Sequence, residues 1–438
     1  MKRRWAVFLC CIVGFTLFGC GADDASPELT IAYIGDVNLL DNHLLENAQM
    51  VFKNKYPEVE LTIEEQDSND YLTQLNAELM AGKGPDLIYL SASQLDLERM
   101  ARTGAYADLS DFVDHDEDLR KYSYVKAALD AGRIDGKQYL IPLNFRVWGI
   151  TSSREMLDSS KIDMDHCTNL SGFLSECNQF QKAKGSEGYP YLFDKPYELW
   201  YLFDSLNGWV DYDKKTVDLE RPEIREFMEF YKNCVFPAQP NLSSKNYGAA
   251  IADKEAIFGI ASSSFFNDAL ASIGMINGYD KAEFTCLNGM DEKPFGVIDD
   301  AIVVSNTSKR KEEAYQFIQT ILSYNVQVSS GSSYCWSPSI CKDAWSESIS
   351  AYDQGIPSEV WKIRDKSTSH RSVSVGAAPE EDVRTILNYL GEIETITLPH
   401  QDVIQLLIQQ MTPYFQDKTS YEECLGKAKK RIEIYLSE

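Results

Sequence analysis

The chain has 438 residues, 44% of them hydrophobic and 12% aromatic, which is enough apolar material for two cores and excludes a disordered protein. Its formal net charge of -25 makes nucleic acid a poor partner, since a polyanion would be repelled. The chain opens "MKRRWAVFLCCIVGFTLFGCGADDAS", three positive charges followed by an apolar run from Trp5 to Phe18. That run is short for a permanent membrane span and has the build of an export signal. Leu17-Phe18-Gly19-Cys20 resembles a lipobox, with Phe18 larger than is usual, so Cys20 is the expected lipidation site and residues 1–19 the expected signal peptide. Loss of 1–19 would take three positive charges and no negative ones, leaving -28. Residues 20–28 read as a polar tether.

Beyond the tether, "ELTIAYIGD" alternates like a strand, and Leu44, Leu45, Ala48, Val51 and Phe52 recur at helical spacing before Pro57. "VELTIEEQ" predicts a second strand, "NDYLTQLNAELMAGK" a helix ended by Gly82, and "PDLIYLS" a third strand. A β-α-β-α-β order implies a largely parallel, helix-covered sheet. "GKQYLIPLNFRVWGITSSREML" reads as a turn, a strand broken at Pro142, a second strand and a helix start, the pattern of a chain crossing between lobes. Helices are expected around Leu170–Lys184, in "YELWYLFDSLNG" and in "EIREFMEFYKNCV". "EAIFGIASSS" predicts a strand, "GVIDDAIVVSN" another, and "KRKEEAYQFIQTILS" the helix after it. The tail places Cys424, Leu425, Ala428, Ile432 and Tyr435 on one helical stripe. No elements are assigned in Ser329–Pro379.

Several of these passages together carry a resemblance. "AELMAGKGPDLIYL", the Gly136–Leu157 crossover, "KPYELWYLFDSLNGWVDYDKKTVDL", "DKEAIFGIASSSFFNDAL", "KPFGVIDDAIVVSNTSKRKEEAYQFIQTILS" and "TPYFQDKTSYEECLGKAKKRIEIYLSE" stand in the order and spacing of a known family. The chain resembles the extracellular solute-binding proteins of ABC sugar importers, the group that includes maltose-binding protein. The resemblance implies an α/β, two-lobe periplasmic-binding-protein-like fold of type II, with the ligand cleft between lobes joined by a hinge. It implies a monomer that delivers a small-molecule carbohydrate to an ABC transporter permease from the extracellular face of the cell membrane, anchored through lipidated Cys20. The expected division is 29–143 in lobe 1, 144–299 in lobe 2, 300–325 as a return to lobe 1, and 326–438 as a C-terminal helical part of lobe 2.

Ligand-binding candidates follow from position. Asp36, Ser91 and Ser93 lie just past strands, where open α/β sheets bind ligands. Asn144, Arg146 and Trp148 alternate after Pro142 and so share one strand face. Arg146 stands where maltose-binding members carry a carboxylate, which argues against maltose itself; a salt-bridged surface arginine is the other reading. Tyr197 is expected in the cleft and Trp200 in the core, since sugars offer C–H faces to aromatic rings. Phe265 and Phe266 fit either role. Asp299 and Asp300 are consecutive in a strand, so strict alternation would send at most one into the cleft. Trp336 is a further stacking ring. Gly82, Gly84 and Pro85 read as structural.

No catalytic set, cofactor motif or metal-ligand spacing is seen: G-x-S-x-G, H-E-x-x-H and Walker A segments are absent and the five histidines stand apart. "DHDED" (Asp114–Asp118) has the first spacings of a calcium loop but lacks its glycine and closing glutamate, and reads as a solvated acidic face. Seven cysteines follow Cys20, an odd number, with Cys167/Cys177 and Cys335/Cys341 the near pairs and buried thiols the simpler reading. A ligand sensor for a membrane histidine kinase and a surface glycoside hydrolase are the alternative functions.

Overall fold

The computed structural model describes residues 28–34, 44–66, 74–75, 77–79, 81–91, 97–184, 191–194, 196–237, 249–262, 265–277, 280–331, 338–349, 362–364, 370–372 and 376–437. Cys20, Asp36, Ser93 and Trp336 lie outside them, as do the side chains of Tyr197 and Phe265.

The main strands are β1 (Glu28–Ile34), β2 (Glu60–Gln66), β3 (Leu87–Ser91), β4 (Leu140–Arg146), β5 (Gly149–Ser153), β6 (Tyr191–Phe193), β7 (Ala256–Ala261), β8 (Ala282–Cys286), β9 (Phe295–Val304) and β10 (Thr395–Thr397). The first sheet runs β10-β9-β3-β1-β2, with β4 on the other edge of β9. β1 is parallel to both β2 and β3, as the β-α-β-α-β reading requires. β3 and β4 are buried along their whole length, as strands covered on both faces are. The edge strand β2 instead presents Glu60, Glu64 and Glu65 among its exposed positions, charges that discourage pairing with another chain. The second sheet runs β8-β5-β7-β6, with β5 antiparallel to β7 and β8.

Two hydrophobic clusters accompany the two sheets. Leu140 to Val147 along β4 belong to the first, while Trp148 and Ile150 belong to the second. Along β9, Phe295 and Val297 belong to the second and Ile298 and Ala301–Val304 to the first. The chain also changes core between Leu398 and Val403. Helices Gln401–Phe415 and Tyr421–Ser437 pack together in the second core through Val403, Leu407, Met411, Cys424, Ala428 and Ile432, so the tail stripe is the buried one. The expectation that everything from 326 onward belongs to the second lobe fails for its first part. Helix Tyr324–Gly331 packs on helix Leu44–Lys55 of the first lobe, and Ile340 and Trp345 join the first core. The apolar pattern there says that the residues are buried, not which core receives them.

The glycine-proline-aspartate passage is architectural. Gly82 has φ +70°, Lys83 N–H donates to Glu78 C=O at 2.9 Å and Gly82 N–H to Leu79 C=O at 3.1 Å, a left-handed cap that ends the helix. A Cβ on Gly84 would meet Leu79 Cδ2 at 2.8 Å. Asp86 then accepts from Thr30 N–H at 3.0 Å, from the Thr30 hydroxyl at 2.9 Å and from the Ser308 hydroxyl at 2.7 Å, tying β1 to the turn after β9.

The lobes also touch at their surfaces. Arg102, on helix Leu97–Arg102, pairs with Glu98 (2.7 Å), Asp135 (3.0 Å) and Asp213 (2.6 Å), the last in the Val210–Val217 hairpin of the second lobe. Arg99 lies over the Tyr435 ring at 4.5 Å.

Asp86→Ala should lower the unfolding free energy by about 2–3 kcal/mol, the scale for hydrogen bonds to a charged group whose donors are left unsatisfied, with Asp86→Asn losing less. Urea unfolding of the variants measures it.

Candidate functional site

The two crossing strands bring together a row of polar side chains inside otherwise apolar surroundings. β9 pairs antiparallel with β4 on one edge and with β3 on the other. The register sets Asp300 opposite Asn144 of β4 and Ser91 of β3, and Asn144 in turn bridges to Ser339. Ser91, Asn144, Arg146 and Asp300 are each only 7% exposed. Buried polar groups at this depth need partners, and Asn144 supplies them in both directions. Its amide donates to Asp300 Oδ2 at 2.8 Å, and its carbonyl oxygen accepts from the Asp300 backbone N–H at 2.8 Å.

Asp299 is paired with Arg146, whose guanidinium donates to its carboxylate. Both consecutive aspartates therefore lie on the face that Asn144 and Arg146 share, contrary to the alternation expected from an unbroken strand. The reason is a bulge. The pairing steps from Ile298↔Phe145 to Asp300↔Asn144, leaving Asp299 as the extra residue, and a bulge of this kind re-aims side chains.

Burial is the largest influence on Asp300, and the Asp299 charge adds to it; together they raise its carboxyl to about 7 against the opposing pull of Asn144, Arg146 and Tyr89. Tyr89, fully buried on β3, is itself pushed well above the usual phenol range by burial first and by the Asp300 carboxylate second.

Trp148 does not look into open space. It is 1% exposed and stacks on Phe295, with ring centroids 5.2 Å apart and planes at 12°, at the point where both crossing strands enter the second core. β4 has ended at Arg146 by then, so its neighbours are those of the second lobe. Trp200 packs on Tyr231 at 3.8 Å between centroids, as a core residue does. Phe266 is buried. The helical segment Pro196–Leu206 places the Tyr197 backbone beyond the end of β6, and Phe265 opens helix Phe265–Ile276 just after β7. Sequence reasoning missed Tyr89 and Ser339. Tyr89 could have been found by its i, i+2 relation to Ser91; Ser339 lies in a stretch with no readable periodicity.

The acidic "DHDED" passage is solvated as expected at Asp114, His115, Glu117 and Asp118, but not at Asp116. Asp116 is 5% exposed and caps helix Glu117–Lys121 through Asp118 N–H (2.8 Å) and Leu119 N–H (3.1 Å). Its other oxygen accepts from the Tyr315 hydroxyl (2.8 Å) and the Gln319 amide (3.1 Å) of helix Lys311–Leu322. Among the described residues no group of three or more His, Cys, Asp or Glu is placed to hold a metal ion. Cys167, Cys177, Cys234, Cys286, Cys341 and Cys424 are buried free thiols, and Cys335 lies outside the described residues.

Residues 51–329 match the family model for bacterial extracellular solute-binding proteins. The chain belongs to this family. The fold agrees: the sugar-binding protein MalE from Xanthomonas citri superposes with a TM-score of 0.67 at 12% identity, over 94% of this chain and 97% of that one. The ABC substrate-binding protein Lmo0181 from Listeria monocytogenes, in complex with cycloalternan, gives 0.63 at 13% identity over 94% and 99%. A solute-binding protein from Thermotoga lettingae bound with α-D-tagatose gives 0.60 at 15% identity over 94% and 100%. No curated protein sequence matches the chain. The protein is thus a two-lobed extracellular solute-binding protein, and the polar row sits where β4 and β9 pass between its lobes.

Because the folded pKa of Asp300 is raised above the ordinary carboxylate value of about 3.9, the folded state keeps a proton that the unfolded chain has lost. Stability from this site is therefore fully present at acid pH and falls as pH rises from about 4 to about 7. Asp300→Asn should gain on the wild type across that window, by up to about 1.4 kcal/mol per pH unit, and hold a constant advantage above it. Thermal or urea unfolding at a series of pH values reads the difference; equal pH profiles would show that Asp300 stays ionised.

Proposed function

We propose that the protein delivers a sugar or oligosaccharide to an ABC importer permease, held at the outer face of the cell membrane by a lipid on Cys20, and performs no catalysis. The observation that carries this reading is the concentration of hydrogen-bonding side chains, Asn144, Arg146, Asp299, Asp300 and Ser91, at the crossing between two lobes of a solute-binding fold. Carbohydrates are bound by such groups together with aromatic rings. The sugar ligands of the structurally similar proteins support the same class. In this reading Asp36, Ser91, Ser93, Asn144, Arg146 and Asp299 offer hydrogen bonds to hydroxyls, and Tyr197, Phe265 and Trp336 offer stacking rings. Trp148, buried against Phe295 in the second core, is a packing residue rather than a ring that stacks on solute.

The charged start and lipobox-like sequence ending at Cys20 support the anchor, and no helix among the described residues is long and apolar enough to cross a membrane. Family membership supports a permease partner and the absence of turnover. The described carboxylates at the crossing are engaged by Arg146 and Asn144, an arrangement suited to binding rather than to a free acid and nucleophile.

A thermal-shift screen over mono- and oligosaccharides should give a clear rise in melting temperature for at least one of them. Tyr197→Ala should then weaken that binding by about 1–3 kcal/mol, the scale of a stacked aromatic at a binding hot spot, with little change in the melting temperature of the empty protein. A variant that bound normally but melted much earlier would place Tyr197 in the core. The best-binding oligosaccharide should be recovered intact after prolonged incubation, whereas sustained hydrolysis lost on mutating a carboxylate would establish an enzyme. In a Gram-positive host the protein should partition with membranes, and Cys20→Ala should release it.

A further inference from the structure

Asp300 occupies a mechanically special position. The flanking residues of its strand are anchored in different cores, Phe295 and Val297 in the second and Ile298 and Ala301–Val304 in the first, so a change in lobe angle is taken up at Val297–Ile298, just ahead of it. The bulge at Asp299 follows that change of core directly and interrupts the regular β4–β9 pairing, so the ladder is bent and locally disrupted beside the crossing. Two carboxylates sit there beside one cation, Arg146. Among the described residues the charged and titratable groups around Asp300 are Asp299 on its own strand, Arg146 on β4 and Tyr89 on β3. The 338–341 segment bridges β4 through its backbone at Ser339, whose hydroxyl is held by Gln327 and the Cys341 N–H. The Arg146 and Asp299 side chains retain 9% and 12% exposure, so they form the rim through which water still reaches the pair.

We propose that Asp300 links the opening and closing of the two lobes to a proton, closure being accompanied by proton uptake at this carboxyl. Closing the lobes withdraws water from the Arg146–Asp299 rim, which makes a second negative charge at Asp300 harder to hold. The neutral carboxyl keeps its bonds to Asn144, because a protonated acid still accepts at one oxygen from the amide and its backbone N–H still donates. Its raised titration range puts the transition near neutrality, where an extracellular pH change would be felt. The inference rests on the two-lobe opening of a solute-binding protein and not on which solute is carried, so it is tested without one.

Lys55 and Lys182 are exposed on helices of the first and second lobes. Lys55→Cys/Lys182→Cys protein, labelled with a donor and acceptor dye pair, reports the lobe separation by single-molecule energy transfer. In the solute-free protein the ratio of closed to open molecules should be higher at about pH 5.5 than at about pH 8.5; half a pKa unit between the two states gives about a threefold change. Asp300→Asn should abolish the dependence and hold the ratio near its acid value. Asp299→Asn should move the midpoint to lower pH, since it removes the neighbouring charge and leaves Arg146 to Asp300. A pH-independent ratio in the wild type, or a dependence that survives Asp300→Asn, overturns the proposal. If Asp300→Asn does not fold, an unmoved midpoint in Asp299→Asn overturns it as well.

Discussion

The structure depends on how two strands are carried through the boundary between two cores. β4 and β9 must each be apolar on both sides of the crossing, yet the crossing itself lies near the space that opens between the lobes. Polar groups placed there are caught between desolvation and function, and the chain resolves the conflict by satisfying each of them locally. Arg146 answers Asp299, and Asn144 answers both the side chain and the backbone of Asp300. Removing either answering group would leave a buried charge or an unsatisfied donor, a cost of about 1–3 kcal/mol even for a neutral group. The same arrangement ties β4 to β9 and keeps hydrogen-bonding groups at the crossing.

Much of this was legible from sequence because periodicity and turn chemistry are local. The first three strands and the helix capped at Gly82 follow from alternation, helical spacing and a left-handed glycine. The crossover after Gly136 was readable but its break was misplaced: β4 runs unbroken through Pro142, and the chain leaves the first core only between Val147 and Trp148. The faces of Asp299 and Asp300 were not, because alternation presumes an unbroken ladder and the bulge is fixed by pairing with β4, a partner about 150 residues away. Similarly, Asp116 reads as one more acid in a polar stretch until helix Lys311–Leu322 arrives with Tyr315 and Gln319. Which core receives 324–349 is equally a matter of distant packing.

Charge plays two roles in this strongly acidic chain. Among the described residues many carboxylates face water, where pairs such as Lys427 with Glu423 contribute little. A few are structural: Asp86, Asp116 and Asp300 each accept from groups far away in sequence and so record the tertiary fold. The Arg102 contacts reach across from the first lobe to Asp213 in the second and lie partly exposed, so they are open to screening by salt.

The crossings between cores also constrain the order in which the chain can become compact. The first sheet needs β9 between β3 and β4, and the second core needs the helices of 401–437, so each lobe awaits residues made long after its own first strands. Contacts this distant in sequence slow folding, because long loops must close before they are rewarded. A protein whose place of work is extracellular has to pass a membrane before it works. A nascent chain that cannot finish either core early stays extended for longer, so the interleaved topology gives export machinery time to act on it before the lobes form.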